Sequence, residues 1–283
     1  MTAAENTPDN TTDNVPENAP ENAPENAPEN APENATDRTR LAVVTGASAG
    51  IGEATATALA VDGWDVVLAA RRPEKLAEVA DRIAAAAPEA TTHVVPVDVT
   101  DRGSVDAVAA AVHDLGGADL LVNNAGGARG LDSVLDGDID DWRWMYEANV
   151  LGTLQVTQAL FGELTRTPAP QVINIVSVAG RWGYPGGAGY NAAKFGETAL
   201  SEVMRIEFAD AGVRVCQIDP GRVKTDFSLN RLRDAAKADA VYADKLNLSA
   251  GDIAETVRWV ADRPAHMDVD TVMIRPTDQN VKA

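Results

Sequence analysis

The chain of 283 residues has little of what defines several protein classes. Its one cysteine, Cys216, excludes a disulfide within the chain, and the apolar run "VRVCQIDP" around it predicts a buried thiol. His93, His113 and His266 lie too far apart for a metal-ligand pattern, so we expect no metal site. No apolar run approaches the roughly 18 residues of a membrane span, and the N-terminus lacks the pattern of a signal peptide. We therefore expect a cytoplasmic protein without a membrane partner.

Basic residues are scarce, since 24 Lys and Arg stand against 43 Asp and Glu, which gives a formal net charge of −19. An acidic chain without a block of Lys and Arg has no electrostatic footprint for DNA, RNA or an anionic membrane. We therefore expect no nucleic-acid partner, and a small molecule as the ligand.

The N-terminal region is a low-complexity repeat. Residues 16–35 repeat the unit "PENA" five times, and residues 1–38 hold nine acidic residues and one basic residue. A proline at every fourth position prevents a helix, and no apolar periodicity exists to build a core. This composition predicts a disordered acidic tail over residues 1–38 and a single domain over residues 39–283.

From residue 41 onward, short apolar runs alternate with helical patterns. The runs predict seven strands, at 41–45, 64–70, 92–98, 118–124, 171–177, 213–219 and 271–274. Helices are expected between them, among others at about 51–61, 74–86, 140–164 and 190–210. Continuous apolar strands alternating with helices are typical of an α/β protein with a Rossmann-type, doubly wound parallel sheet. In such folds ligands bind beyond the carboxyl ends of the strands.

The loop after the first strand is rich in glycine. In "VVTGASAGIG" the residues Gly46, Gly50 and Gly52 stand between a strand and a helix, with the spacing G-x-x-x-G-x-G. Glycine lets the backbone approach a pyrophosphate, and the helix N-terminus offers amide N–H groups and a positive dipole end. A purely structural turn is the alternative, but the strand-to-helix position favours a dinucleotide site.

Two arginines follow the second strand, where an acidic residue would hold the adenosine 2′-hydroxyl of NAD. The sequence "VVLAARRPEKL" places Arg71 and Arg72 there and no acid at 69–72. A guanidinium suits a 2′-phosphate, so the pattern favours NADP over NAD, with two solvated surface arginines as the alternative. At the end of the third strand Asp98 is a candidate acceptor for the adenine amino group, and "NNAG" (123–126) ends the fourth strand.

The stretch "SVAGRWGYPGGAGYNAAK" holds a serine, a tyrosine and a lysine. Tyr190 and Lys194 are four residues apart and share one helical face, and a cation beside a phenol lowers the phenol's pKa. Ser177 ends the fifth strand, and the glycines between let the loop bring it opposite Tyr190. This arrangement predicts that Tyr190 gives or takes a proton at a substrate oxygen that Ser177 also binds, while hydride moves to or from a nicotinamide.

These motifs together resemble the short-chain dehydrogenase/reductases over about residues 41–276. The resemblance implies that Asn149 belongs to the catalytic set with Ser177, Tyr190 and Lys194, and that it holds a water of a proton relay. It also implies a wider set of cofactor-binding residues: Gly46, Ser48, Gly50, Ile51, Gly52, Arg71, Arg72, Asp98, Val99, Asn124, Ala125, Gly126, Tyr190, Lys194, Pro220, Gly221, Val223 and Thr225. One departure is Ala49, where many NADP-dependent members carry a basic residue.

A narrower resemblance links "DRPAHMDVDTVMIRPTDQ" (262–279) and the segments "RWGYPGGAGY" and "AARRPEKL" to NADP-dependent 3-hydroxy acid dehydrogenases that oxidise serine or L-allo-threonine. Family members usually assemble as tetramers, so the resemblance implies a homotetramer. A hydroxy acid carries a carboxylate, so a cation is expected in the substrate pocket. Arg181 and Arg222 are the preferred pair of substrate residues, and Arg129 and Lys224 are further candidates.

The segment 222–250 is polar and irregular in pattern, which suits a lid over the substrate. The leading hypothesis is thus an NADP(H)-dependent oxidoreductase for a secondary alcohol and its ketone, with a 3-hydroxy acid or β-hydroxy amino acid as substrate. Two alternatives stay open. One is a reductase of a neutral ketone or quinone, and the other is a nucleotide-sensing protein without catalysis.

Overall fold

The computed structural model of the protein describes residues 38–279. The predicted tail at 1–38 lies outside the described residues apart from Arg38, so that prediction stays untested. Within the described part seven strands form one parallel sheet in the order β3-β2-β1-β4-β5-β6-β7. The strands are β1 (Leu41–Thr45), β2 (Asp65–Ala70), β3 (Thr92–Pro96), β4 (Leu120–Asn123), β5 (Gln171–Ile175), β6 (Arg214–Pro220) and β7 (Thr271–Ile274).

Helices connect the strands and cover both faces of the sheet. They are α1 (Gly50–Val61), α2 (Pro73–Ala86), α3 (Arg102–Asp114), α4 (Ile139–Tyr146), α5 (Gly152–Leu164), α6 (Ala188–Phe208), α7 (Phe227–Leu232), α8 (Ala235–Tyr242) and α9 (Ala250–Ala261). Helices α1, α2 and α9 pack on one face, and α3, α5 and α6 pack on the other. The predicted doubly wound α/β fold is confirmed.

The core explains why the central strands β1, β2 and β4 are apolar at nearly every position. In β1, Ala42 and Val44 belong to the cluster beneath α1 and α9, while Leu41 and Val43 belong to the cluster beneath α3 and α5. Side chains of a strand alternate between the two faces, and helices cover both faces here, so neither set of positions contacts water.

The strand order reverses at β1, and this reversal positions the site. Val43 of β1 is in register with Val67 of β2 on one side and with Leu121 of β4 on the other. The chain winds outward from β1 to β3, returns to β4 and then winds the other way to β7. The loops after β1 and β4 therefore separate at the carboxyl edge and leave a crevice between them.

Two predicted segments differ from the structure in detail. The helix expected at 140–164 is interrupted by one π-helical turn, Glu147–Leu151, between α4 and α5. The segment expected as an irregular lid at 222–250 contains α7 and α8, and Val223 forms a bridge with Leu248 that closes its base. The lid role of this segment stays a prediction.

Candidate active site

A cavity of about 660 Å³ opens at the carboxyl edge of the sheet, at the reversal between β1 and β4. Segments after all seven strands and helix α7 contribute to its walls. The structure brings nearly all the predicted site residues to this one cavity. Gly52, Arg181 and the two further candidates Arg129 and Lys224 do not line it.

The glycine-rich loop is tight enough to require glycine. Gly46 and Gly50 have φ angles of +67° and +60°, in the left-handed region that favours glycine. A Cβ on Gly52 would lie 2.4 Å from the carbonyl oxygen of Gly46. Gly52 is therefore required for close packing against the loop backbone, and it does not face the cavity. The loop thereby presents backbone N–H groups and the N-terminus of α1 to the cavity, which fits a pyrophosphate.

A buried threonine joins the ends of β1 and β4. The Thr45 hydroxyl donates to the Val122 carbonyl at 3.2 Å and accepts from the backbone N–H groups of Asn124 and Ala125 at 2.9 and 3.0 Å. The Asn124 side chain donates in turn to the Thr45 carbonyl at 2.9 Å. These contacts fix the "NNAG" segment at the cavity edge.

The adenosine end of the cavity carries cations. Arg71 and Arg72 are exposed side chains that line it, and Arg72 Nη2 donates to Ser48 Oγ at 3.0 Å. Arg71 makes no ion pair with any described residue. Asp98 lines the same end and accepts from Thr100 N and Thr100 Oγ1 through its Oδ1. The residue types fit a nucleotide with a 2′-phosphate, although no basic side chain stands at Ala49.

Tyr190, Lys194 and Ser177 meet at the opposite end of the cavity. Tyr190 and Lys194 lie on one face of α6 and are 8% and 5% exposed, and the Lys194 Nζ lies 5.9 Å from the Tyr190 ring centroid. Ser177 follows β5 and lies close enough to the Tyr190 phenol to lower its pKa. The Ser177 hydroxyl accepts from Ala179 N at 3.1 Å and donates to the Pro220 carbonyl at 3.4 Å. The predicted meeting of these three side chains is thus present in the structure.

The pKa of Tyr190 departs from the simple expectation. Burial raises the pKa of this phenol, and the charge of Lys194 opposes the rise without overcoming it. Lys194 itself is held charged: burial alone would lower its pKa, but the neighbouring Glu197 carboxylate raises it. The sequence pattern led us to expect a lowered Tyr190 pKa, and the structure gives the opposite direction because desolvation outweighs the attraction of the ammonium.

Asn149 lies in the π-helical turn and is fully buried. Its Nδ2 donates to the carbonyls of Met145 at 2.6 Å and Gly127 at 2.9 Å, and its Oδ1 accepts from Gly127 N at 3.1 Å. Both amide protons are therefore used, one on the preceding helix α4 and one on Gly127, and the Gly127 contacts anchor the segment after β4. A proton relay through Asn149 would have to use other atoms than its Nδ2, and the relay stays a prediction.

The structure places the cations that the sequence predicts for substrate binding in different surroundings. Arg181 Nε donates to the buried Asp219 carboxylate at 2.6 Å, and this ion pair directs the side chain away from the cavity. Arg222 does line the cavity, but Nη2 is paired with Asp278 at 2.7 Å. Arg129 stacks on Trp144 and pairs with Asp141, and Lys224 is exposed outside the cavity.

Sequence reasoning missed Arg231, a half-buried arginine of α7 that lines the cavity at its catalytic end. Its guanidinium carbon lies 5.5 Å from the Tyr190 ring centroid. It donates to the carbonyls of Gly130 and Gly186 and to the Tyr184 hydroxyl, at 2.7, 3.2 and 3.1 Å. No carboxylate of the described residues pairs with it. The only signal for Arg231 was its place in the segment expected as a lid.

Residues 38–279 lack two features, a membrane-spanning helix and a cluster of metal-ligating side chains. The described helices include none long and apolar enough to cross a membrane. The same residues hold no group of three or more His, Cys, Asp or Glu side chains arranged for a metal ion.

Comparison with known proteins gives a consistent result. A family model described as short chain dehydrogenase matches residues 40–236. An uncharacterized oxidoreductase of Mycobacterium tuberculosis is 47% identical over 86% of this chain and 93% of its own length. Sulfoacetaldehyde reductase 2 of Chromohalobacter salexigens is 36% identical over 84% of this chain and 95% of its own length.

A solved structure is also similar across the whole fold. It is the closed form of a serine dehydrogenase complexed with NADP+, with a TM-score of 0.81 and 32% identity. The match covers 86% of this chain and 97% of that one. The resemblance drawn from the sequence motifs, including its serine dehydrogenase branch, is confirmed.

Proposed function

Since the chain belongs to the short-chain dehydrogenase family, we propose that it interconverts an alcohol and a carbonyl compound with NADP(H), and that its substrate carries an acidic group next to the reacting end. The observation that carries the second part is Arg231, a cation without a carboxylate partner among the described residues, 5.5 Å from the Tyr190 ring. The oxidoreductase class follows from the family, and the identity of the substrate is the proposal.

The cofactor proposal is supported by the fit of the cavity. The tight turn at Gly46, Gly50 and Gly52 would hold the pyrophosphate, and Arg71 with Arg72 would hold a 2′-phosphate. When bound, the nicotinamide of NADP(H) supplies or accepts the hydride.

The chain's own residues handle the proton. In carbonyl reduction Tyr190 donates its phenolic proton to the substrate oxygen, and in alcohol oxidation it removes the proton from the hydroxyl. Ser177, which lines the cavity beside the phenol, would hydrogen-bond the same substrate oxygen and hold it in place. Lys194 stays protonated and stabilises the phenolate that forms when Tyr190 gives up its proton.

The two named activities among the similar proteins share one chemical feature. In serine, one carbon separates the hydroxyl-bearing carbon from the carboxylate. In sulfoacetaldehyde, one carbon separates the aldehyde carbon from the sulfonate. We propose that this chain accepts the same spacing, a reacting carbon followed by one carbon and then an acid group that is ionised at neutral pH.

Arg231 is the residue proposed to bind that acid group. A guanidinium offers five N–H donors in a rigid plane that matches carboxylate and sulfonate geometry. Three of its nitrogens already contact Gly130, Gly186 and Tyr184, and those contacts hold the group facing the catalytic end while leaving two N–H donors unassigned. A neutral ketone would cover this half-buried charge without supplying an anion, which disfavours the alternative substrate class.

Replacing Arg231 with Gln is expected to raise KM for acid-bearing substrates by about 10- to 100-fold, because a charge-assisted hydrogen bond contributes about 1.5–3 kcal/mol. Initial rates are measured with NADPH on sulfoacetaldehyde and on propanal, and with NADP on 3-hydroxypropionate and L-serine. Propanal, which has no acid group, serves as the internal control and should be reduced equally by both proteins.

The matched control variant is Arg233→Gln, an exposed arginine two residues away that does not line the cavity. Equal losses on sulfoacetaldehyde and propanal in Arg231→Gln would remove the acid-binding role. If the wild-type protein reduced propanal and none of the acid-bearing substrates, it would instead be a reductase of neutral carbonyl compounds.

We propose a homotetramer on the strength of exposed apolar side chains on neighbouring helices. Leu151, before α5, and Phe195, Val203 and Ile206 of α6 are 38%, 46%, 46% and 77% exposed. An interface between copies of the chain would bury them. The mass in solution, measured by light scattering, tests this, and a monomer would overturn it.

A further inference from the structure

A buried carboxylate stands beside the catalytic lysine. Glu197 is 1% exposed, its Oε2 accepts from Lys194 Nζ at 2.6 Å, and its Oε1 accepts from Thr153 Oγ1 at 3.3 Å. Tyr190, Lys194 and Glu197 succeed one another along one face of α6 at spacings of four and three residues. Lys194 also donates to the Ile175 carbonyl at 3.1 Å, so one of its three N–H donors is left for the cavity.

The charges of these three side chains have to be counted together, because in closely coupled groups each protonation step belongs to the whole group rather than to one residue. Burial raises the pKa of Glu197, and the ammonium of Lys194 at 2.6 Å opposes that rise. With Glu197 ionised and Lys194 protonated in this ion pair, the group is neutral while Tyr190 keeps its proton and carries one negative charge afterwards. Without the carboxylate, the group is positive at first and neutral afterwards. Creating a buried charge is costly and removing one is favourable, so Glu197 makes proton release harder.

Other charged groups face this cluster and have to be set apart. Asp219 of β6 is buried and paired with Arg181, and the Arg231 guanidinium lies over the Tyr190 ring from α7. Tyr184 is a further titratable neighbour of the phenol. All of them are unchanged by a substitution at position 197, so comparing two proteins that differ there isolates the effect of the carboxylate.

We propose that Glu197 is a positioning residue that keeps the proton on Tyr190 at neutral pH, and that the site is thereby prepared to donate a proton, as carbonyl reduction requires. The raised pKa of Tyr190, to which both burial and Glu197 contribute, agrees with this. The inference rests on the proposed function, since it takes Tyr190 as the proton donor.

The test is the pH dependence of kcat/KM for sulfoacetaldehyde reduction at saturating NADPH, in the wild type and in Glu197→Gln. Activity should fall at alkaline pH as Tyr190 loses its proton. In Glu197→Gln this alkaline limb should lie about 1 to 2 pH units lower, the size expected for unit charges several ångströms apart at an effective dielectric constant of about 20. The control is Ser201→Ala, which removes a hydrogen bond to the Glu197 carbonyl without changing charge and should leave the limb in place.

An alkaline limb that stays in place or moves upward in Glu197→Gln would overturn the inference, and an equal loss of rate at every pH would reduce Glu197 to a structural role. If Glu197→Gln does not fold, the tyrosinate absorbance of wild type minus Tyr190→Phe gives the Tyr190 titration directly. It should lie above the ordinary value of about 10, and a titration at or below that value would overturn the inference. Turnover that survives in Tyr190→Phe would instead contradict the proposed function itself.

Discussion

Tyr190→Phe is expected to lower kcat by about 10²- to 10⁴-fold in both directions, the usual contribution of a positioned acid or base. Phenylalanine keeps the ring that packs in the cluster with Val150 and Ala193 and contacts Phe227 at a centroid distance of 5.5 Å. The fold and the cavity should therefore persist, and the affinity for NADPH, measured by fluorescence titration, should change by no more than a few fold. What is lost is the hydroxyl that exchanges a proton with the substrate oxygen.

Tyr146→Phe is the matched control, because Tyr146 is an exposed tyrosine of α4 that does not line the cavity. The Tyr146→Phe variant should convert substrate at the wild-type rate. If Tyr190→Phe were equally active, the proton-transfer mechanism would be wrong. If the wild type bound NADPH but turned over no carbonyl substrate, the alternative of a nucleotide-sensing protein would be favoured.

The double variant Arg71→Ala/Arg72→Ala is expected to lose roughly 100-fold or more of its preference for NADPH over NADH. Each guanidinium that binds a phosphate oxygen contributes about 1.5–3 kcal/mol through charge-assisted hydrogen bonds, and NADH has no 2′-phosphate to bind. Dissociation constants for the two nucleotides, measured by calorimetry, give the preference directly. The affinity for NADH should stay close to the wild-type value.

Arg82→Ala controls for the general loss of positive charge. Arg82 lies on α2, is exposed, and pairs with Glu53 outside the cavity. It should leave the preference unchanged. Equal weakening of NADPH and NADH binding in the double variant would show that the arginines support the loop rather than recognise the 2′-phosphate.

The central strands were predictable because burial on both faces makes them apolar along most of their length, and the partly exposed edge strands β3 and β7 still form short runs rich in β-branched residues. The predicted strands at 41–45 and 271–274 have the observed bounds, and the other five differ by one or two residues at one or both ends. The π-helical turn at Glu147–Leu151 was not predictable, because an extra residue in a helical turn leaves the apolar pattern nearly unchanged.

Some residues of the candidate site were also predictable from the sequence, and others were not. Gly46, Ser177, Tyr190 and Lys194 sit at fixed offsets from strand ends, so their spacing was enough to bring them together. The identity of the arginine that could bind a substrate anion was not predictable from the sequence. It depends on which arginines already form ion pairs with carboxylates in the folded protein. Arg181 meets Asp219, 38 residues later in the chain, and only the folded chain reveals that pair.

The sequence places Glu197 within reach of Lys194, but its meaning depends on burial. An exposed glutamate three residues from a lysine is a common surface pair of small energetic effect. At 1% exposure the same pair determines how readily the neighbouring phenol releases its proton.

The most direct measurement is the fate of the hydride. Sulfoacetaldehyde is reduced in parallel with two samples of NADPH that carry deuterium on one or the other face of nicotinamide C4, and the alcohol is analysed by mass spectrometry. The account predicts one deuterium in the product from one of the two samples and none from the other. Reduction that leaves both products unlabelled, or no reduction of any acid-bearing substrate, would contradict it.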